Sequence, residues 1–496
     1  MSNGSCALSE CQCLLTNRCI LTCAAMNKTP SFKKICAADL AFFESILPDG
    51  VWAAQEQLAA CSSDHTEDFC YLPEVVLLPR QTAEISSILK YCNEQLLPVT
   101  VRGAGTGLSG GALPLHGGVV LDMRRMNRIL NIDTENFQVT TEPGVITQVL
   151  QEAVREKGLF YPPDPASRGS CFIGGNIAEN SGGPRAVKYG VVKDYVLNLE
   201  IVLPNGAVMW TGAHVLKNAT GYNLTQLIVG SEGTLAVVTK IVLRLIPAVT
   251  HDLLLLAPFK SSFDACHAVN DILLAGHNPS ALEFMERDAL LFAMKYNPAD
   301  AFELPEAIEA HLLIEVDGND PEQLFKTAAG IMQVLEKYDT GEVLLAESAA
   351  QKEQLWKLRR KVGEAVKSHS VYKEEDTVVP RAALPELLKT VKELGRQYGF
   401  RSVCYGHAGD GNLHVNIVKE DMSEESWKKD LPVAIRKLFA AVVALGGTIS
   451  GEHGIGLVQK NYLSLALPAI AMEVMGGIKK VFDPKGILNP GKIFPD

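Results

Sequence analysis

Alternation of hydrophobic and polar positions divides the chain into strands and helices from about residue 70 onwards. The apolar run 73–78 predicts a buried strand, and strands are also predicted at residues 99–102, 119–121 and 137–141. Between the first two strands, Thr82 is a candidate N-cap for a helix. The apolar face of that helix is formed by Ile85, Ile88, Leu89 and Cys92.

The alternation continues to the C-terminus, but its character changes near residue 250. Residues 147–154 predict a helix with Val149, Leu150 and Ala153 on one side, and residues 197–210 predict a hairpin around Pro204-Asn205-Gly206. Beyond residue 250 the strands and helices lack glycine-rich loops until about residue 400. The pattern therefore predicts an α+β protein in which a second domain covers a first one.

Size and charge exclude several classes of function. A chain of 496 residues exceeds one ordinary core, so two or three domains are expected. A formal net charge of −11 argues against nucleic acid as a partner, because phosphate binding requires a basic surface. The sequence also lacks the run of about 20 apolar residues that a membrane-spanning helix needs.

Five of the twelve cysteines crowd the first 23 residues, namely Cys6, Cys11, Cys13, Cys19 and Cys23. A metal cluster would need a matching cysteine group downstream, which the sequence lacks. We therefore predict a disordered extension at residues 1–25, ahead of the Met26-Asn27-Lys28 start of an ordinary cytosolic protein. The scattered remaining cysteines fit free thiols in a reducing compartment.

Three glycine-rich segments suggest a long ligand that is held by backbone groups. Residues 102–111 contain a literal G-x-G-x-x-G, but the loop runs into Ala112-Leu113-Pro114 and then a strand, so the Rossmann interpretation fails. Closely spaced glycines can still gather backbone N–H groups around phosphate oxygens. A tight turn between strands is the alternative for this loop alone. Similar segments at residues 174–183 and 230–234 favour the ligand.

Histidines near the C-terminus suggest a catalytic metal site. His407 and His414 flank the turn sequence Asp410-Gly411-Asn412, which predicts a hairpin that brings both imidazoles together, and Glu452-His453 lies between glycines. A catalytic zinc site takes three protein ligands and leaves one position open. If His407, His414 and Glu452 are the ligands, His453 is left beside the metal as an acid or base. The alternatives are structural histidines, or a metal hydrolase in which the glycine loops only shape the fold.

Together these motifs resemble the FAD-linked D-2-hydroxy acid dehydrogenases of the vanillyl-alcohol oxidase and para-cresol methylhydroxylase (PCMH) superfamily. The likeness covers about residues 45–496 and is greatest to the bacterial glycolate oxidase catalytic subunit and D-lactate dehydrogenase. It implies a PCMH-type FAD-binding domain at residues 26–248, an α+β (ferredoxin-like) cap domain at 249–405, and a helical C-terminal segment at 406–496 that returns to the flavin.

The resemblance also implies where FAD binds, with the pyrophosphate on residues 103–111. Attachment is expected to be non-covalent, although His116 and Cys171 are present as candidates for covalent attachment. The implied FAD residues are Arg102, Gly103, Ala104, Gly105, Thr106, Gly107, Ser109, Gly110, Gly111, Pro143, Gly144, Asp164, Gly174, Gly175, Asn176, Asn180, Gly182, Gly183, Gly190, Glu232, Gly233 and Asn489.

For the substrate, the resemblance places a divalent metal, zinc or a similar ion, on His407, His414 and Glu452. His453 becomes the general base, and Arg359 the carboxylate anchor, unless Arg359 belongs to the solvated face of a basic helix. Lys373 and Asn416 are further substrate contacts by family position. Relatives that act on larger diacids have a threonine where this chain has Gly363, which favours a small acid.

The implied reaction is oxidation of a small D-2-hydroxy acid, glycolate or D-lactate, to the 2-oxo acid, with electrons passed to a non-NAD acceptor. An iron–sulfur or other electron-transfer subunit is the expected partner, and a homodimer stays open. The expected location is the cytoplasm, with membrane association only through a partner. Two alternatives remain, a D-2-hydroxyglutarate-type dehydrogenase and an FAD transferase resembling alkylglycerone-phosphate synthase.

Overall fold

The computed structural model describes residues 31–66 and 69–495. The extension predicted at residues 1–25 lies outside the described residues. The described part has mixed helix and sheet, as predicted, and three sheets of four or more strands dominate it. No helix in residues 31–66 and 69–495 combines the length and apolar character needed to cross a membrane.

The first sheet has four strands, of which three are parallel. Its order is β1-β2-β4-β3, formed by β1 (Val51–Trp52), β2 (Val75–Leu77), β3 (Val99–Arg102) and β4 (Val119–Asp122). Three helices accompany it: α1 (Ala37–Ile46), α2 (Gln55–Ala59) and α3 (Thr82–Gln95). The predicted strands are confirmed, and the predicted apolar face of α3 is buried. The helix begins at Thr82 with Gln81 as N-cap, because the Thr82 hydroxyl donates instead to Glu200 at 2.7 Å.

The second sheet has five antiparallel strands in the order β5-β6-β10-β8-β9. These are β5 (Ile129–Asp133), β6 (Gln138–Thr141), β8 (Val196–Val202), β9 (Val208–Trp210) and β10 (Val237–Arg244), and a small pair is formed by β7 (Leu159–Phe160) and β11 (Ile246–Pro247). The predicted hairpin is confirmed as β8 and β9.

Four helices accompany the second sheet, α4 (Thr147–Arg155), α5 (Ile173–Glu179), α6 (Ala186–Tyr189) and α7 (Leu224–Ile228). Two of them correct the sequence analysis. Val149 of α4 is 49% exposed, and the buried face is formed by Thr147, Leu150 and Val154. The second glycine segment begins as helix α5 rather than as a loop, because Ile173 and Ile177 anchor it in the core.

The third sheet has seven strands in the order β15-β12-β14-β13-β17-β18-β16. These are β12 (His251–Phe259), β13 (Ala281–Glu286), β14 (Ala310–Gly318), β15 (Leu344–Leu345), β16 (Tyr372–Val378), β17 (Arg401–Gly406) and β18 (Asn412–Val418). The expected division between residues 405 and 406 falls within the β17–β18 hairpin, so both flanking strands share one sheet.

Helices cover this sheet and complete the chain. They are α8 (Ser262–Leu274), α9 (Arg287–Tyr296), α10 (Pro321–Leu335), α11 (Ala349–His369), α12 (Leu384–Tyr398), α13 (Glu424–Ala444), α14 (Leu463–Ala466) and α15 (Ala469–Phe482). Helices α8, α10, α12 and α13 pack into one core with the sheet, and α9 and α11 into another. The final segment returns to the first sheet, where Leu488 bridges to Val99 of β3.

Candidate active site

One cavity of about 940 Å³ connects the glycine-rich segments with the cluster of histidines. Helix α11 and strand β16 form another part of its wall, which includes Arg359, Gly363 and Glu374. Twelve of the residues implied for FAD binding line the cavity, namely Gly103, Ala104, Gly105, Thr106, Gly107, Gly111, Pro143, Gly174, Gly175, Asn176, Glu232 and Gly233.

Backbone geometry makes this part of the cavity a cradle for a phosphate-containing ligand. Gly105 has φ +74°, and a Cβ there would lie 2.3 Å from Nη2 of Arg102. A Cβ on Gly175 would meet no protein atom within 4 Å and would point into free space. A long cavity walled by bare backbone matches what FAD requires, since its pyrophosphate is held by converging N–H groups.

The other ten residues implied for FAD binding do not line the cavity. Gly183 has φ +130° and packs its Cα against the carbonyl of Asp164. Asn489 donates to the carbonyls of Gly111 and Glu232 at 3.1 and 2.7 Å, and so holds two glycine segments together. The set comprises Arg102, Ser109, Gly110, Gly144, Asp164, Asn180, Gly182, Gly183, Gly190 and Asn489.

At the other end of the cavity, the β17–β18 hairpin brings His407 and His414 together as predicted. Nε2 of His407 lies 3.3 Å from Oε1 of Glu452, and Nε2 of His414 lies 3.5 Å from the same oxygen. All three ligand atoms lie within 4.8 Å of one another. Around a tetrahedral Zn²⁺ with ligands at about 2.0–2.2 Å, neighbouring ligand atoms are about 3.3–3.6 Å apart. The donor set therefore fits one divalent ion.

Electrostatics around the three side chains agree with that fit. Burial alone would raise the pKa of Glu452, but the histidines, His407 first, lower it to about 2. Burial lowers the pKa of His414 to about 3 and leaves its imidazole neutral. Burial would also lower the pKa of His407, yet Glu283 and Glu452 raise it well above its ordinary value. In the metal-free protein His407 thus holds a proton that a metal ion would displace.

A buried carboxylate orients the first histidine. Nδ1 of His407 donates to Glu283 at 2.8 Å, which directs Nε2 towards Glu452. Such carboxylate–histidine pairs fix the tautomer and orientation of metal ligands. The groups of Glu374, His414 and His453 form a second set within the same distance limit, and His414 belongs to both sets.

His453 lines the cavity next to the metal-type cluster. Its ring stacks on that of His414, with centroids 5.3 Å apart and planes at 16°. Burial would lower the pKa of His453, but Asp376 and Glu374 raise it above its ordinary value. In its neutral form, an imidazole held in this way can accept a proton from a ligand in the cavity, and the two carboxyl groups favour the imidazolium that results.

Arg359 is buried at the cavity wall, so the alternative of a solvated basic face is wrong. Its guanidinium lies 5.0 Å from the ring centroid of Tyr405, and Nη2 lies 2.6 Å from Glu283. Only 5% of the residue is exposed. A guanidinium that is oriented by an aromatic ring and a carboxylate keeps further N–H donors for an anionic ligand.

The structure does not bring Lys373 to the cavity. Side chains alternate along β16, so Tyr372 and Glu374 face the cavity while Lys373 lies on the other face. Asn416 is fully buried beside Tyr405 and does not line the cavity either. Its side chain interacts with that of Tyr405, which does line the cavity.

Sequence reasoning missed three carboxylates that surround the histidines, Glu283, Glu374 and Asp376. Each lies on a strand of the seven-stranded sheet. Glu283 and Asp376 are buried and Glu374 is partly buried, although carboxylates seldom occupy such positions. The run Glu374-Glu375-Asp376 within a strand pattern was the available signal. Buried carboxylates need partners, and histidines or arginines are the usual ones.

Two protein-family models match this chain, and each match contains residues from one part of the cavity. Residues 73–212 match the model described as "FAD binding domain". Residues 250–493 match "FAD linked oxidases, C-terminal domain". The first match contains two glycine segments, and the second contains Arg359 and the histidine cluster.

Curated relatives match over nearly the whole chain. The D-lactate dehydrogenase of Anaerostipes hadrus is 38% identical over 473 residues, covering 93% of this chain and 98% of the relative. Glycolate oxidase subunit GlcD of Bacillus subtilis is 40% identical over 438 residues, covering 87% and 91%. A probable mitochondrial D-2-hydroxyglutarate dehydrogenase of Oryza sativa subsp. japonica is 34% identical over 484 residues, covering 95% and 84%.

Solved structures agree on the fold. A p-cresol methylhydroxylase superposes with a TM-score of 0.77 at 17% identity, covering 94% of this chain and 99% of that one. An alkyldihydroxyacetonephosphate synthase gives a TM-score of 0.69 at 19% identity, covering 94% and 86%. The resemblance seen in the sequence and the predicted PCMH-type fold are therefore confirmed. This chain belongs to the family of FAD-linked oxidoreductases that includes D-lactate dehydrogenases, glycolate oxidase subunit GlcD and D-2-hydroxyglutarate dehydrogenases.

Proposed function

We propose that this protein oxidises a small D-2-hydroxy acid, glycolate or D-lactate, to the corresponding 2-oxo acid. The observation that carries the proposal is the single cavity in which the FAD cradle, Arg359 and the cluster of His407, His414 and Glu452 meet. Oxidation of a hydroxy acid requires an anchor for the carboxylate, a contact that lowers the pKa of the hydroxyl, a base and a hydride acceptor. The cavity wall offers a candidate for each.

Arg359 anchors the substrate carboxylate, and its fork geometry favours two parallel hydrogen bonds. Because Tyr405 and Glu283 hold the guanidinium, the substrate carbon has a fixed position relative to the histidines. Bound FAD would supply the acceptor for the hydride, held by the glycine segments at residues 103–111 and 174–176. Gly363 leaves the wall next to the Tyr405 hydroxyl bare, and a Cβ there would lie 3.2 Å from it.

His407, His414 and Glu452 would hold a divalent ion, for which zinc is the first candidate. An ion there would act as a Lewis acid and lower the pKa of a coordinated hydroxyl, as it does for water. His453 then takes the hydroxyl proton on its imidazole. The carboxylates of Asp376 and Glu374 stabilise the imidazolium that results.

The electrons leave through a non-NAD acceptor, which we infer to be an iron–sulfur or other electron-transfer partner. Support comes from the relative in Bacillus subtilis, whose name describes it as a subunit of glycolate oxidase. Residues of this chain form the proposed substrate site around Arg359. The partner would therefore accept electrons and would not bind the substrate.

The test is anaerobic titration of the yellow purified protein with glycolate, D-lactate, L-lactate and D-2-hydroxyglutarate, followed by absorbance near the flavin maximum. Bleaching by glycolate or D-lactate, without bleaching by L-lactate, supports the proposal. A yellow protein that none of the four acids bleaches contradicts it. That outcome would favour an FAD transferase such as the alkyldihydroxyacetonephosphate synthase that shares the fold.

A D-2-hydroxyglutarate-type activity is the second candidate, and one observation favours it. The cavity continues along α11 past Gly363, where Arg360 and Lys367 line it. The positive charges of these two side chains suit a second carboxylate. Bleaching by D-2-hydroxyglutarate alone, in the same titration, would select this candidate.

A further inference from the structure

The turn that carries Glu452 and His453 is bound along its backbone by side-chain oxygens. Residues 451–456 have six consecutive N–H groups. The first three donate to Oδ2 of Asp376 at 2.7, 2.7 and 2.9 Å. The fourth donates to Oγ of Ser450 at 3.0 Å, and the last two donate to the carboxylate of Glu232 at 2.8 and 2.6 Å.

The two carboxylates come from different parts of the chain. Asp376 lies on β16, opposite His414 of β18, and its Oδ1 accepts from Nδ2 of Asn412 at 2.7 Å. Glu232 lies in the third glycine segment, which lines the FAD cradle. Both are buried, at 2% and 6% exposure. The turn is thus tied on one side to the strand of a candidate metal ligand and on the other to the cofactor cavity.

External acceptors matter here because residues 451–456 belong to no helix or strand. Gly454 and Gly456 have φ values of +85° and +46°, so the backbone follows a path that regular hydrogen bonding does not maintain. Hydrogen bonds from N–H groups to an ionised carboxylate are stronger than neutral ones, and the pKa of Asp376 lies below its ordinary value because His453, His414 and these N–H groups outweigh burial. A catalytic group must be held to within about 0.5 Å, and these bonds are the visible means of doing so.

We propose that Asp376 and Glu232 are positioning residues that fix the 451–456 turn, and through it hold Glu452 at the metal-type cluster and His453 beside it. This inference rests on the proposed function, in which Glu452 is a metal ligand and His453 the base. Neither carboxylate would touch the substrate. Glu232 acts on the backbone that presents the two side chains. Asp376 acts on the same backbone, and its Oδ2 also lies 4.0 Å from Nδ1 of His453.

The experiment compares zinc affinity in the FAD-loaded protein, by competition with a chromogenic chelator, for wild type, Asp376→Asn and Glu232→Gln. Asparagine and glutamine keep the shape but lose the charge and one acceptor. Matched controls are Glu375→Gln and Glu200→Gln. Glu375 is the buried neighbour that pairs with Gln459, and Glu200 is a buried carboxylate that pairs with Thr82, Thr239 and Lys240.

The expected result is a 10- to 100-fold loss of zinc affinity in Asp376→Asn and Glu232→Gln, the range found for residues that orient metal ligands. The controls should stay within twofold of wild type. Flavin absorbance and thermal melting establish that each variant is folded. If Glu232→Gln, which changes a residue of the FAD cradle, fails to retain FAD, Asp376→Asn decides the matter by itself.

Zinc affinity within twofold of wild type in both folded variants would overturn the positioning role. A wild-type protein that binds no zinc would instead contradict the metal assignment of the proposed function. In that case the rate of anaerobic flavin reduction by the hydroxy acid tests the positioning role. A displaced His453 should slow this reduction while the KM stays unchanged. Equal rates in wild type and both variants would then overturn the inference.

Discussion

Glu283 accepts a hydrogen bond from Nδ1 of His407 at 2.8 Å while its other oxygen lies 2.6 Å from the guanidinium of Arg359. One fully buried carboxylate therefore orients a candidate metal ligand and the candidate substrate anchor. Burial would raise the pKa of Glu283, yet His407 and Arg359 lower it below its ordinary value. The carboxylate stays charged between its two partners.

Substituting Glu283→Gln should weaken zinc binding and raise the KM for the hydroxy acid together, each by about 10- to 100-fold, because both partners lose their orienting charge. The measurements are chelator competition and steady-state kinetics. Glu286→Gln is the matched control, since Glu286 ends the same strand but pairs with Lys392 and the backbone of Cys404. A change in only the zinc affinity, or only the KM, would show that Glu283 does not orient both His407 and Arg359.

The substitution His453→Gln should lower kcat by about 10²- to 10⁴-fold, the usual contribution of a general base. The KM and the zinc content should change little, because His453 is not one of the three candidate ligands His407, His414 and Glu452. Stopped-flow reduction of the flavin by the substrate is the measurement. A variant that loses zinc as well would indicate that the second set, Glu374, His414 and His453, holds the ion.

Substituting Arg359→Lys should raise the KM at least about tenfold, or about 1.4 kcal/mol, with a smaller effect on kcat. A lysine ammonium can neither form two parallel bonds to a carboxylate nor stack on Tyr405 as the guanidinium does. Arg360→Lys provides the comparison, since Arg360 pairs with Glu353 at 2.6 Å. Its KM for glycolate should stay unchanged.

Gly175→Ala should weaken FAD binding without destabilising the fold. The residue lies in α5, and alanine is favoured over glycine there by up to about 1 kcal/mol, so the apoprotein should melt at the same or a higher temperature. The added Cβ meets no protein atom within 4 Å and enters the cavity, so FAD affinity should fall about tenfold or more. Quenching of FAD fluorescence measures the affinity. Unchanged affinity would mean that FAD does not approach Gly175.

Glu375 should make the folded protein less stable as the pH rises. Burial raises the pKa of Glu375 from 4.5 to about 7, so between these values the folded state holds a proton that the unfolded state has lost. The favourable contribution of protonated Glu375 to the free energy of unfolding is complete below about pH 4.5 and is lost as the pH rises through 7. The loss is of the order of 3 kcal/mol for a shift of this size.

The variant Glu375→Gln cannot ionise and should lack that pH dependence. Denaturant unfolding at pH values from 5 to 8 should show that the free energy of unfolding of the variant increases relative to that of wild type as the pH rises. A constant difference across this range would show that Glu375 ionises normally in the folded protein.

The hairpin of His407 and His414 could be predicted because its cause is local. Gly411 has φ +87°, and a Cβ there would lie 2.0 Å from the carbonyl of Val379, so the turn requires glycine. The two histidines are close in sequence, and a hairpin brings its arms together without help from the rest of the chain. The pairing of β17 with β18 confirms this prediction.

Other site residues could not be predicted in this way. Lys373 was assigned to the substrate by family position, but strand alternation on β16 turns it away from the cavity. Arg359 has two interpretations in the sequence, a solvated helix face or a carboxylate anchor, since a basic run on a helix fits both. Burial beside Tyr405 and Glu283 excludes the first.

The sequence by itself determined the glycine-rich segments, the histidine hairpin and the family, because each of the motifs that identify them lies within about ten positions. Only the tertiary structure decided which carboxylates serve those groups. Glu283 reaches His407 across 124 positions, Asp376 reaches the N–H of His453 across 77, and Glu232 reaches the N–H of Gly456 across 224. Hydrogen bonds over such separations follow from how sheets and turns pack, which no local pattern of residues specifies.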